Sequence, residues 1–502
     1  MHKMKNMKII GVAFLFLLTT ACNKFVDYKA QEDYIVTTAD YFKTSSDYQS
    51  LLVGCYAPLQ WLWSDPMIGD IASDNAMCGG ESAVDNVGMQ QIHNFQLVPN
   101  NSVLTESWTD CFEGINRVNY LYQNKGLLNF SGKDALYGEA CFLRGYYYFE
   151  LVKLFGDVPL FTDHKLTVSD SKTLKRTSKT LIYQQIESDL TTAIASLPKV
   201  QTDKGRATMY SAQALLGKVY LYENKFDSAA AILERVINSN AFTLTSNFGD
   251  IFLKSGENNA ESVFEIQYTN LGIAHDWNTN NVLRSQGNML VQFCGIRKIA
   301  GTGVPYAGNG YSFDLPTKEL LGQFSSTDTR KDISILNVAA YASANPSMGI
   351  SYTDAPYQNT GLYNQKYQPR VGESSASGDQ QLNYLNNYRA LRYADVLLMA
   401  AEANNRASTP NDSKAQSYLN LVRRRAFGND SHSIVATGTT LKQAIWDERR
   451  LELAMEGDRF FDLVRTGQAA SKMSAFKVGR NEVFPIPQQE IDISGLSQNP
   501  GY

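Results

Sequence analysis

Residues Ser211–Asn240 read SAQALLGKVYLYENKFDSAAAILERVINSN, and their spacing is that of two short helices folded back on each other. Leu216-Gly217 and Tyr220 stand where the first helix of a helix-turn-helix repeat needs a large residue, a gap and a second large residue. Small residues let paired helices approach, and large ones fill the space between them. Asn224, Lys225 and Phe226 make the turn, and Ala229, Leu233 and Val236 supply the apolar side of the second helix. One such pair cannot bury its own faces. Several stacked pairs would form one continuous core.

The same logic extends outward along the chain. Tyr393–Asn405 and Ser413–Ala426 form another pair, separated by the breaker Ser408-Thr409-Pro410-Asn411. A further helical region runs from Thr440 to Thr466, interrupted by Gly457. From Ser102 to Leu128, the residues Trp108, Phe112, Ile115, Val118 and Leu121 recur at helical steps. Ala135–Phe155 carries two apolar stripes, as expected of a helix held between two neighbours, and Gly156-Asp157-Val158-Pro159 ends it. Between these blocks lie two irregular regions, Pro58–Asn101 and Thr269–Gln380, the second entered by a short strand, Ser262–Tyr268. The expected fold is mostly α-helical: tetratricopeptide-like helix pairs packed with an irregular, loop-rich ligand-binding region. Loops of this length in a compact domain usually carry function, and aromatic residues are frequent in these.

The first twenty-two residues are of a different kind. Lys3, Lys5 and Lys8 precede an apolar run from Ile9 to Leu18, followed by Thr19-Thr20-Ala21-Cys22. A basic start, an apolar core too short to span a bilayer and a small-residue end make a secretory signal. A cysteine directly after the small residues resembles a bacterial lipobox, with Leu18 one place before the usual leucine position. Residues 1–21 then form a lipoprotein signal peptide and Cys22 is the lipidated residue. Multiple acyl chains, at about 0.8 kcal/mol per buried methylene, would hold the protein stably at a membrane.

Removing residues 1–21 leaves 43 Lys plus Arg against 50 Asp plus Glu, a net charge of −7. This balance, without a basic run, argues against nucleic acid as a partner. The cysteines after Cys22 are Cys55, Cys78, Cys111, Cys141 and Cys294, an odd and widely spaced set that makes neither a disulfide framework nor a zinc site. The five histidines are isolated, and neither a Gly-x-Ser-x-Gly elbow nor a His-Glu-x-x-His pair occurs. The densest charge cluster, Asp447 to Asp462, reads as ion pairs at helical steps, Asp447 with Arg450 and Glu456 with Arg459, and Arg392 with Asp395 reads the same way. No catalytic residue and no cofactor are expected. Asp70, Asp74, Glu81 and Asp85 could hold a structural calcium ion, although their spacing is not that of an EF-hand and they read first as solvated loop acids.

Several segments in order then resemble the SusD/RagB family of Bacteroidetes outer-membrane lipoproteins. They are Gly138–Phe149 with Leu154-Phe155-Gly156-Asp157-Val158-Pro159, Gly205-Arg206-Ala207-Thr208 and Leu391–Leu398. Glu448-Arg449-Arg450, Glu456–Leu463, Phe484-Pro485-Ile486-Pro487 and Gln498-Asn499-Pro500-Gly501-Tyr502 complete the set. The resemblance implies a single domain over residues 22–502, with helical repeats about 102–240 and 387–466 and ligand-binding parts about 58–101 and 269–380. It implies a surface-exposed, lipid-anchored outer-membrane protein that captures a glycan or oligosaccharide and delivers it to a SusC-type TonB-dependent transporter. Peptide capture of the RagB type is the alternative, and a surface glycosidase a more distant one. Sugars need aromatic faces together with directed polar partners. Trp61, Trp63, Asp70, Asp74 and Asn75 in the first loop region, and Trp277, Tyr306 and Arg370 in the second, are the candidate contacts.

Overall fold

The computed structural model describes residues 41–269, 286–352, 356–374 and 379–502. The leader, Cys22 and Trp277 lie outside the described residues. The helices used below are α1 (Ser45–Tyr56), α2 (Ser64–Ile71), α3 (Val87–His93), α4 (Ser102–Gln123), α5 (Lys133–Phe155), α6 (Lys179–Ser196), α7 (Met209–Tyr222) and α8 (Phe226–Asn238). After the irregular stretch come α9 (Val338–Ala344), α10 (Tyr393–Arg406), α11 (Asp412–Phe427), α12 (Gly438–Glu452), α13 (Arg459–Arg465) and α14 (Gln488–Ser494).

The molecule is mostly helical, and its long helices stack in sequence: α1 on α4, α4 on α5, α5 on α6, then α7, α8, α10, α11 and α12. The predicted repeat is α7 with α8. Thr208 caps α7 by accepting from the Ser211 amide at 3.1 Å, and Asn224 makes the turn at φ +59°. A Cβ on Gly217 would lie 2.4 Å from Leu233 Cδ2, so the glycine sets how closely α7 and α8 approach. Helix α5 is buried along almost all its length between α4 and α6, as its two apolar stripes require. The sequence reading did not delimit α6, whose buried face is only Ile182, Ile186, Asp189, Leu190 and Ala193. The helix expected over Ser102–Leu128 stops at Gln123, where the Asn124 side chain donates to the Tyr120 carbonyl at 2.7 Å.

The array is interrupted between α8 and α10, which pack on each other although the chain between them forms the irregular lobe. That lobe is built from two-stranded antiparallel sheets. Strand β1 (Ala76–Cys78) comes from earlier in the chain, β2 (Val158–Pro159) and β3 (Arg176–Thr177) pair with each other between α5 and α6, outside the lobe, and β4 (Ser262–Ile266) is the lobe's first strand. Strands β5 (Ile299–Ala300), β6 (Asp314–Pro316), β7 (Ile335–Asn337), β8 (Ser351–Tyr352), β9 (Leu362–Asn364) and β10 (Tyr388–Arg392) follow. The pairs are β1–β6, β4–β10, β5–β8 and β7–β9, with Cys78 opposite Asp314 in the first.

Two expectations need correction. Residues 58–101 are not an open irregular region: a 3-10 turn (Ala57–Trp61), α2, β1 and α3 occupy much of it, and α2 is buried throughout. Its Asn and Asp residues serve as caps and remote partners, as when Asn86 accepts from the Met89 amide and Asp65 accepts from Ser107. The ion pairs expected from helical spacing are also replaced by pairs with remote partners. Asp447 accepts from Gln443, Arg450 pairs with Asp74 and Glu319, and Arg459 pairs with Asp74. Glu456 receives Arg392 and Lys366 instead of Arg459, while Asp395 receives Arg449 and Lys218 instead of Arg392. Glu456, Asp395 and the basic side chains that pair with them are almost wholly buried, and Arg392 alone joins Glu261, Glu452 and Glu456 at 2.7–3.0 Å. The result is a charged seam between the helical array and the lobe.

The carboxy-terminal motif closes the fold. The Phe484 amide donates to the Leu154 carbonyl at 2.7 Å, and the Asn499 side chain donates to the carbonyls of Phe155 and Phe484. Carbonyls left open at the end of α5 are thereby satisfied.

Candidate functional site

Pro58 at the start of the 3-10 turn and the helical backbone angles of Trp63 carry the Trp63 ring onto Phe293. The two ring centroids are 4.4 Å apart with planes 32° from parallel. Phe293 sits in a short helix, Met289–Cys294, whose first turn is capped by Asn288 accepting from the Leu290 amide. Its ring meets Tyr311 edge-on at 5.3 Å and Phe313 at 5.2 Å. Phe293 and Phe313 are buried, whereas Trp63 and Tyr311 are half-buried at the edge of the core. Two accessible rings thus rest on two inaccessible ones, which fixes their orientation.

Polar groups rim this aromatic face. Arg297 pairs with Glu81 at 2.6 Å and Asp85 at 3.5 Å, and donates to the Tyr311 carbonyl at 3.2 Å. Its Nε is buried without a hydrogen-bond partner, as is Oε1 of Gln292, whose Nε2 donates to the Asn309 carbonyl. Tyr384 in turn donates to the Asn309 side chain at 3.2 Å. Burial raises the Tyr311 hydroxyl above its ordinary value, so at neutral pH it is a neutral donor.

The sequence candidates are distributed unequally around this face. Trp63 belongs to it. Trp61, two residues earlier, turns toward α4, where the Arg117 guanidinium lies 5.1 Å from its ring. Asp70, at 2% exposure, and Asn75, at 1%, face the interior. Burial, then repulsion from Asp314, pushes the Asp70 carboxyl well above its usual range. Asn75 accepts from Arg450 Nε. Asp74 accepts from Arg459 Nε and Nη2 at 2.7 and 2.8 Å, and although burial opposes its charge these contacts keep it below the usual carboxylate value. These three polar residues are engaged internally and are not presented to a surface ligand. Tyr306 and Arg370 are brought together as antiparallel bridge partners. Tyr306 is buried against Tyr341 and its hydroxyl accepts from Gln365, while Arg370 donates to the Phe252 and Gln365 carbonyls. Phe293, Arg297 and Tyr311 were missed, because only long-range packing sets them beside Trp63.

The four carboxylates considered for calcium do not converge. Glu81 and Asp85 pair with Arg297, Asp74 pairs with two other arginines, and Asp70 is interior. Among the described residues no group of three or more His, Cys, Asp or Glu side chains is placed to hold a metal ion. Burial drives several carboxyls upward, among them Asp65 to about 8, Asp314 to about 7 and Asp70, and these three lie inside the protein.

Similarity to known proteins agrees with the architecture. The model of the SusD family matches residues 260–502, and one described as starch-binding, associating with outer membrane, matches residues 24–221. SusD-like protein P2 of Formosa agariphila is 26% identical, with 99% of this chain and 100% of that protein covered. A solved laminarin binding SusD-like protein is 34% identical with a TM-score of 0.82, covering 92% of this chain and 100% of its own. Surface glycan-binding protein A from Bacteroides thetaiotaomicron, solved in complex with laminarihexaose, is 27% identical with a TM-score of 0.79, covering 91% and 99%. With the two family models covering the amino- and carboxy-terminal parts and a 34% identical relative spanned end to end, the chain belongs to the SusD family.

Proposed function

We propose that this protein captures a glycan of the laminarin type at the Trp63–Phe293–Tyr311 face and delivers it to a SusC-type TonB-dependent transporter. The observation that carries this reading is two half-buried rings seated on buried ones, rimmed by Arg297, Glu81 and Asp85. Pyranose C–H faces pack on such rings, and ring hydroxyls bridge guanidinium and carboxylate groups. Laminarin binding by a 34% identical relative supports the choice of first ligand. Trp277, an aromatic residue in an Asn- and Asp-rich stretch, adds a further ring contact in this reading. Lipid on Cys22 holds the protein at the outer membrane, facing outward. The role is binding and transfer, without catalysis.

The test is calorimetric titration of a soluble chain beginning at Asn23 with laminarin, laminarihexaose, starch oligosaccharides and a peptide mixture. Saturable heat with laminarihexaose and no release of shorter sugars is the expected result. Heat from peptides alone would move the protein to peptide uptake, and shortened products would make it a glycosidase. Replacing Trp277 by Ala is expected to abolish glycan binding with the fold intact; unchanged affinity would remove that residue from the site. A Cys22→Ala chain is expected to leave the membrane fraction, and its retention there would refute the lipid anchor.

A further inference from the structure

A cavity of about 40 Å³ lies where α2, α5, α7, β10 and the residue before α13 meet. Its polar walls include Asp65 from α2, Glu150 and Lys153 from α5, Lys218 from α7, Tyr388 from β10, and Asp458.

Most of these groups satisfy one another or a nearby carbonyl. Lys153 pairs with Glu150 at 2.9 Å, and Lys218 pairs with Asp458 at 2.6 Å and Asp395 at 3.4 Å. Tyr388 donates its hydroxyl to the Glu456 carbonyl at 2.8 Å. Asp65, only 5% exposed, differs. Its Oδ1 accepts from the Ser107 hydroxyl at 2.5 Å, and Ser107 stands on α4, outside the cavity. Its Oδ2 is buried without a hydrogen-bond partner among the described residues. A buried oxygen left unpaired costs about 1–3 kcal/mol, and more when it is charged.

Protonation does not remove that need. Burial, then repulsion from Glu150, pushes the Asp65 carboxyl up to about 8, so both of its forms occur near neutral pH. The ionised carboxylate requires a donor, and the protonated acid can donate and requires an acceptor. A metal ion would suit only the ionised form, and no group of three or more His, Cys, Asp or Glu side chains among the described residues is placed to hold one. Water serves both forms. The cavity has room for about three water molecules. Each lysine ammonium carries three N–H groups, more than the carboxylates beside it occupy, so the same water finds further partners.

We propose that this cavity is a hydration site, in which ordered water joins Asp65 Oδ2 to the ammonium groups of Lys153 and Lys218. Elsewhere the seam is tied by direct ion pairs, whereas here α2 is tied to the helical array through water. Asp65 lies two residues after Trp63, so this tie holds the start of the helix that follows the Trp63 ring.

Crystals of the unaltered chain, refined at a resolution that shows ordered water, give the test. Density is expected in the cavity at about 2.7–3.2 Å from Asp65 Oδ2, with the water also in reach of the Lys153 or Lys218 ammonium. Asp65→Leu is expected to lose the water nearest residue 65, whereas Asp65→Asn, which still offers an oxygen, retains it. A cavity without density in the unaltered chain would overturn the proposal, whether or not either variant folds. So would a contact of about 2.3–2.6 Å with six or more oxygens around it, which marks a metal ion. A water that stays unmoved in folded Asp65→Leu would likewise remove Asp65 as its anchor and overturn the site.

Discussion

The helical array and the irregular lobe are held together by opposite kinds of contact. In the array the partners are near in sequence and apolar: α8 follows α7 after a short turn, and Leu233 fills the notch left by Gly217. In the lobe and its seam the partners are remote and charged, as when Arg459 reaches Asp74 across 385 positions and Arg392 gathers three glutamates. Apolar packing of neighbours makes the array rigid and extensible, whereas the seam specifies which surface of the array receives the lobe. The binding face lies on the lobe side, so its geometry depends on the seam more than on the repeats.

Breaking each kind of contact in turn tests that contrast. Arg392→Met leaves Glu261, Glu452 and Glu456 buried with less positive charge, which is expected to cost about 3–5 kcal/mol. Leu233→Ala in the array is expected to cost about 2–4 kcal/mol through an unfilled cavity. Urea unfolding measures both. The contrast predicts a further difference: Arg392→Met weakens glycan binding at protein concentrations where it is still folded, and Leu233→Ala does not. Equal effects on binding would mean that the seam has no special hold on the face.

The same division explains what could be read from the sequence. The pair α7–α8, the sandwiched α5 and the break at Gly457 were legible because their signals are local: helical spacing, a glycine where helices cross, a turn. Gly457, at φ +92°, is also where α2 presses closest, since a Cβ on Gly69 would fall 1.8 Å from its carbonyl oxygen. That contact has no local signature. Asp74 and Asn75 looked like ligand contacts for the same reason: a polar residue in a Gly- and Asp-rich stretch looks exposed until Arg450 and Arg459, far along the chain, are known to cover it. Trp63 was legible as a candidate, but its partners Phe293 and Tyr311 were not.

A smaller effect is expected where the lobe meets β1. Burial raises the Asp314 carboxyl to about 7, with the Asn364 side chain donating to it at 2.8 Å, and Asp70 is raised beside it. A carboxyl whose folded value exceeds its unfolded value of 3.8 retains a proton that the unfolded chain releases. Stability from this group is therefore complete below about pH 4 and declines as pH rises toward 7, by up to about 1.4 kcal/mol per pH unit. Glu452 and Asp462 act oppositely: burial disfavours their charge, but the arginines around them outweigh it and hold both carboxyls well below their usual range, so their contribution is lost in acid. Asp314→Asn, which keeps the shape and removes the titration, is expected to flatten the decline between pH 5 and 7 in urea midpoints. A slope identical to that of the unaltered chain would remove Asp314 from the explanation.

The smallest change in stability is expected at the face itself, and it separates binding from folding most sharply. Trp63 is half-buried at the edge of the core, so Trp63→Ala removes its ring contact with Phe293 and part of its packing, an expected loss of about 1–2 kcal/mol. Phe293 is 7% exposed and supports Trp63, Tyr311 and Phe313 together, so Phe293→Ala is expected to cost about 3 kcal/mol. If Trp63 is the ring on which sugar rests, its removal lowers laminarihexaose affinity by about tenfold with the melting temperature nearly unchanged. Phe293→Ala would lower both, because the ring it removes positions the others without meeting the ligand. Should Trp63→Ala lower stability as much as Phe293→Ala and leave affinity intact, Trp63 would be one more core aromatic, and the lobe's open surface would have to bind elsewhere.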